Sequence, residues 1–285
     1  MLIQKSAELN INPNAKDNNN WTPFHWACME CHSKIADILI QKSVELSIDL
    51  NAKDSLKDTA FHLACMDANS KIAEILIQKS DEFDIELNAK DADGLTAFHS
   101  ACREGQSKIA EILVQKFVEF NIDLNTKHDE GLTAFHSAFR KGHSKIAKIL
   151  IQKSTQFNVE LNERDNEGMK AFHFACMKGH SKIAQMLILK SSDYNIELNA
   201  KNDVGIAAFH MACFDGHSKT AETLLQKSAN FSIGLNCRDT HGRTAFHFAC
   251  ISGETNIVEM MINNCKHFNC NYSQRQFCKD WISVC

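Results

Sequence analysis

Histidine and cysteine are the side chains of this sequence best suited to chemistry, with 14 and 12 copies in 285 residues. Imidazole nitrogens and thiolates converging at about 2.0–2.3 Å would hold zinc, and paired thiols would form disulfides. Their spacing argues against both. His25, His62, His99, His136, His173, His210 and His247 each follow a phenylalanine, and every interval is 37 residues. Cys28, Cys65, Cys102, Cys176, Cys213 and Cys250 form a second column at the same spacing. A residue that recurs once per repeat is separated from its next copy by about the 8–10 Å of packed helices. That is too far for two histidines on one zinc, and it exceeds the roughly 4.4–6.8 Å Cα window of a disulfide. The column cysteines therefore read as buried core thiols. A last cluster, Cys265, Cys270, Cys278 and Cys285, matches no zinc spacing. No metal and no cofactor is expected.

Other catalytic patterns are absent as well: there is no Gly-x-Ser-x-Gly, no phosphate-cradling loop and no His-Glu-x-x-His. The carboxylates Asp49, Glu86, Asp123, Glu160 and Glu197 recur by repeat rather than in pairs. With Lys53, Lys90 and Lys127 nearby they read as a solvated charge ladder. The expectation is a chain that is not an enzyme and has no small-molecule substrate. With 31 basic and 35 acidic residues and a net charge of −4, phosphate neutralisation on nucleic acid is also not expected. No apolar run reaches the length of a signal-peptide core or a membrane span. A soluble protein of the cytoplasm, with the nucleus as second compartment, is the resulting expectation.

The elements that position these columns follow from the repeat. Asn14, Asn51, Asn88, Asn125, Asn162, Asn199 and Asn236 mark its start near each of those positions. In the third repeat Asp91-Ala92-Asp93-Gly94 is turn chemistry, and Thr96 stands where a hydroxyl caps a helix. Phe98, Ala101 and Cys102 share one face of a short first helix that Gly105 ends. Ser107 opens a second helix, with Ile109, Ala110, Ile112 and Leu113 as its apolar stripe. In the first repeat Pro23 follows Thr22, at the first helical position where its missing N–H costs nothing.

Thr22-Pro23-Phe24-His25-x-Ala27 resembles the Thr-Pro-Leu-His-x-Ala signature of the ankyrin-repeat family. The Asp-x-x-Gly turns, Gly142-His143, Gly179-His180 and Gly216-His217, and Leu50 to Asp54 are similar too. The resemblance covers residues 1–268 and implies an all-α repeat solenoid with β-turn or hairpin connections: a half repeat over 1–13, seven repeats, and an irregular tail or truncated cap over 269–285. It also implies that the Phe-His histidines make structural hydrogen bonds in the turn and between neighbours. Ankyrin asparagines are often hydroxylated, and Asn51, Asn88, Asn125, Asn162 and Asn199 match that position.

The family's usual period is 33, and here four residues are added between Ile-Gln-Lys-Ser and Leu-Asn-Ala. Four residues is close to one helical turn. The second helix is therefore predicted to run a turn longer, to Leu46, Phe83 or Phe120, which with Ile48 and Leu50 would form an extra apolar ridge. Met1 aligns with the middle of a second helix, which predicts further repeats upstream or a fragment. Local weakness is expected at Lys57 and Ala68, which replace turn and cap glycines, and at Ala207, Thr220 and Thr223.

In this family the turn tips and first helices face partners, and it is there that the repeats differ. Trp21, Trp26, Met29 and Met66 stand in the N-terminal repeats and Arg103, Arg140 and Lys141 in the centre. Phe174, Met177, Met211, Phe214 and Phe248 stand in the last ones. These are residue types enriched at interfaces, and they outline a groove with apolar anchors around a basic middle. The functional expectation is a non-catalytic scaffold binding another protein through the concave face. The alternative is the regulatory or substrate-recruiting segment of a larger protein, such as a ubiquitin-ligase receptor, channel or signalling enzyme.

Overall fold

The computed structural model describes residues 11–67, 70–157 and 159–267, and the predicted half repeat and tail fall largely outside them. Among the described residues there are fifteen helices and two isolated antiparallel bridges, Lys127 with Thr133 and Lys201 with Ala207. The first helices are Pro23–Met29, Ala60–Met66, Ala97–Arg103, Ala134–Lys141, Ala171–Met177, Ala208–Phe214 and Ala245–Ile251. The second helices begin at Ser33, Ser70, Ser107, Ser144, Ser181, Ser218 and Thr255. Contacts divide the chain into two compact units, an N-terminal one of residues 1–138 with 156–159 and a C-terminal one of 139–155 with 160–285.

Each repeat starts on a turn closed by one side chain. Asp91 Oδ1 accepts the backbone N–H of Asp93 and of Leu95, at 2.9 and 2.8 Å. Asp165 and Asp239 do the same in their repeats, while His128 uses Nδ1 to accept from the Glu130 N–H. A carboxylate two residues from the tip thus satisfies N–H groups that the reversal strands. The tip needs a left-handed residue, which is Gly94 at φ 79° in the third repeat. Lys57 adopts φ 63° at the same place in the second, against the roughly 1–2 kcal/mol that a Cβ costs there. Ala68 lies outside the described residues.

The predicted extra helical turn is present in the second, fourth and sixth repeats, whereas the predicted helix end at Phe120 is not reached. Ser70–Phe83, Ser144–Phe157 and Ser218–Phe231 each run 14 residues. In the first repeat Ser33–Gln41 breaks at Lys42 and resumes as Ser43–Leu46. In the third and fifth the helix stops at Lys116 and Lys190, and the next residues continue as turns. Five of these extensions end on a left-handed residue, Ser47, Asp84, Asn121, Asn195 and Ser232. The following N–H reaches back five residues, as from Ile48 to Ser43 O at 2.8 Å and from Ile85 to Ser80 O at 2.9 Å. The predicted ridge is carried by Ile48, Leu50, Ile85, Leu87, Ile122 and Leu124, all buried. Leu46, Phe83 and Phe120 are only half-buried and cover its edge.

The core is the phenylalanine column with the second-helix stripe, including Phe24, Phe135, Ile72, Leu76, Ile109 and Leu113. Cys28, Cys65, Cys102, Cys176 and Cys213 are buried as expected, and burial pushes each thiol up. Cys250 departs from that reading, being exposed. Thr220 is buried in the column of Ile72 and Ile109, and its hydroxyl has no hydrogen-bond partner. Thr223 instead donates to Lys219 O at 2.8 Å.

Candidate partner-binding face

The Phe-His histidines are built into the scaffold. The Thr22 N–H donates to His25 Nδ1 at 3.1 Å, so the ring proton is on Nε2, which points at Asp58 O at 3.3 Å. His62 and His99 reach Leu95 O and Leu132 O in the same way. In the C-terminal unit His173 and His210 lie nearest Ala200 O and Cys237 O, both at 2.9 Å. These five imidazoles each join their own helix cap to the next repeat. Burial holds these rings neutral, with the acid form of His99 and of His173 pushed down to about 4. Where the capping threonine is replaced, Ala207 and Lys170 keep only the N–H to Nδ1 bond, and the Lys170 Nζ pairs with Glu197 at 2.9 Å.

The asparagine column makes a second set of links, which the sequence alone did not reveal. Asn51 Nδ2 donates to Asp84 O at 2.6 Å, and its Oδ1 accepts the Glu86 N–H at 2.9 Å. Asn14, Asn88, Asn162 and Asn199 clamp the next repeat likewise, each on its left-handed residue and the position two further on. The donor and acceptor of one amide thus hold the extension turn that the longer period adds. Asn125 is half-buried, and its backbone N–H is taken by Asp123 Oδ1. Shallow clefts open beside these clamps, one lined by Ser80, Asp84, Glu86, Asn88 and Phe120.

The turn tips and first-helix ends form the remaining surface. In the N-terminal unit the tips are chained by backbone bonds: Ser55 N to Asn19 O, Ala92 N to Leu56 O and Asp129 N to Asp93 O. Trp26 is 45% exposed, rests on Trp21 at 4.7 Å between ring centroids, and donates from Nε1 to Asp17. Trp21 is half-buried, its Nε1 held by Asp54 Oδ2 at 2.8 Å. Met29, Met66 and Arg103 are half-buried at successive helix ends, and Arg103 pairs with Glu104 at 3.0 Å. In the C-terminal unit Arg140, Lys141 and Phe214 are exposed and Met177 is half-buried. Phe174, Met211 and Phe248 are buried, which corrects the expectation that they face a partner. Phe248 is packed edge-on against His210 at 5.3 Å and Phe214 at 5.9 Å. No cluster of three metal-ligating side chains occurs among the described residues.

Sequence comparison decides the family. Ankyrin repeats (3 copies) match at residues 43–128, 113–202 and 194–274, and Ankyrin repeat at 19–52. The chain belongs to the ankyrin-repeat family. No curated protein matches it. Among solved structures it is similar to the human ASB11 ankyrin repeat domain, with a TM-score of 0.67 and 17% identity over 84% of this chain and 97% of that one. It is also similar to the ankyrin repeat domain of Bcl-3, described as a unique member of the IkappaB protein family. There the TM-score is 0.68 and the identity 18%, over 86% of this chain and 99% of that one. At such identities the likeness is one of fold. Ankyrin repeats are in general protein-interaction modules, typically without catalysis, and no helix among the described residues is long and apolar enough to cross a membrane.

Proposed function

We propose that this ankyrin array is a non-catalytic scaffold that binds another protein through its turn tips and first-helix ends. The observation that carries the reading is the division of labour between faces. Histidines and asparagines are committed to links between repeats, whereas Trp26 stands exposed against its own turn and Phe214 exposed at the end of its first helix. Exposed aromatic side chains beside polar tips are characteristic of interface anchors. Arg140 and Lys141 add cations to that side of the C-terminal unit.

Capture of partners from cell extract by the full chain, compared with Trp26→Ala, Arg140→Glu and Met177→Ala, tests this. Loss of a specific partner in at least one variant with an unchanged melting curve is expected. Undiminished capture in all three would overturn the proposed face. The asparagines Asn51, Asn88, Asn125, Asn162 and Asn199 remain proposed hydroxylation positions, and intact-mass measurement of the protein from its native cell reads the 16 Da addition directly.

A further inference from the structure

We propose that the tip side of the N-terminal unit takes a basic, amphipathic segment of the partner, with a lysine or arginine beside Asp58 and apolar side chains on Trp26 and Leu56. This rests on the scaffold reading and adds the chemistry of the occupant. Asp58 stands in the column of Trp21, Leu95, Leu132, Met169, Ile206 and Arg243, where most repeats place an apolar residue. Its side chain is buried, and Oδ1 has no hydrogen-bond partner. Asp54, four residues earlier, is by contrast fully used: it accepts from the Trp21 indole and from the N–H groups of Leu56 and Asp58. A buried carboxylate without a donor is costly. The fold supplies it no cation in hydrogen-bonding contact.

The charges facing Asp58 come from each neighbouring element. Asp54 lies in its own turn, Asp91 and Asp93 in the next, and Arg103 on the third repeat's first helix. His25, on the first repeat's helix, meets the Asp58 main chain. Three of these groups are acids, and Arg103 is already paired with Glu104. Burial, with Asp54 and Asp91 adding to it, pushes the Asp58 carboxyl up to about 7. A cation placed there would favour the ionised form and displace the proton. The row around it repeats the sign: Glu30, Asp67, Asp93, Asp129 and Glu130 are exposed at tips and helix ends, with Lys57 as an opposing exposed charge. Leu56 at 62% and Trp26 at 45% exposure supply the apolar part. Charge complementarity therefore selects a basic partner.

Two synthetic peptides with the same leucine pattern, one carrying lysine and the other glutamate at the polar positions, are titrated into the full chain and followed by calorimetry. The lysine peptide is expected to bind at least tenfold more tightly. Its affinity rises from pH 6 to pH 8, and Asp58→Asn both weakens it about tenfold and flattens that pH dependence. Lys57→Glu, an exposed change that does not test the fold, is expected to strengthen it several-fold. Glu45→Gln, in the Ser43–Leu46 extension and paired with Lys42, leaves it unchanged. Equal affinity for both peptides would overturn the proposal, as would an unaltered pH profile in Asp58→Asn, an equal loss in Glu45→Gln, or no gain in Lys57→Glu. Such a failure with partner capture intact removes only the basic occupant, whereas loss of capture removes the scaffold reading itself.

Discussion

Trp26 in the N-terminal unit and Phe248 in the C-terminal unit occupy the same place, directly after a Phe-His pair, yet one is 45% exposed and the other 6%. The difference lies in the groups each ring packs against. Phe248 leans back onto His210 and Phe214 of the preceding repeat, and Arg243 covers its ring at 4.9 Å. The Trp26 indole is held within its own repeat, by Asp17 and Trp21. A position in an array thus gains its environment from the neighbour, and two aromatic residues in one column can serve packing in one unit and remain available in the other.

The largest expected effect sharpens that contrast. Phe248→Ala should lose about 3–5 kcal/mol of stability, the usual cost of emptying a buried aromatic site. Trp26→Ala should lose less than about 1 kcal/mol. Urea titration of both variants reads this, and equal losses would break the comparison.

Next in size is a property the two units share. His99 lies in one and His173 in the other, and both have their acid form pushed from 6.5 to about 4 by burial. Between those limits the unfolded chain binds protons that the folded chain refuses, so stability is complete above pH 6.5 and falls as pH drops toward 4. The shift corresponds to roughly 3 kcal/mol for each histidine. Urea midpoints at pH 7 and pH 4.5 should therefore separate widely, and a flat profile would count against neutral histidine links in either unit.

The clamps give a smaller and symmetric effect. Asn51→Ala and Asn162→Ala each remove two hydrogen bonds to the next repeat, one in each unit. Each should cost about 2 kcal/mol, read by faster amide exchange at Glu86 and Glu197. The smallest effect is confined to the C-terminal unit. Thr220→Val removes a buried hydroxyl with no partner and should raise stability by about 1 kcal/mol in the same urea titration.

The spacing of Phe-His and of the asparagines was enough to read the repeat and its helices, and the resemblance of Thr22 to Ala27 to the ankyrin signature supplied the family and the four-residue extension, because each depends on local pattern. The clamps were hidden for a physical reason. The asparagine side chains meet backbone groups of Ser47, Asp84, Asn121, Asn195 and Ser232, and a backbone partner leaves no residue signature. The burial of Phe174, Met211 and Phe248 was equally hidden, since a column records position and not the direction in which a side chain turns. Asp58 was open to view as the one acid in a largely apolar column, but only its missing hydrogen bond gives that departure weight.

The asparagine clamp also sets the step by which such a chain can change length. Each amide reaches backbone groups 33 and 35 residues ahead, always from the same place in the period. Duplicating or deleting a whole block of 37 residues therefore restores every clamp at the new junction. An insertion of any other length within a repeat leaves one amide facing the wrong atoms. Gene rearrangement can lengthen or shorten this protein by whole repeats while the interlock itself stays the same.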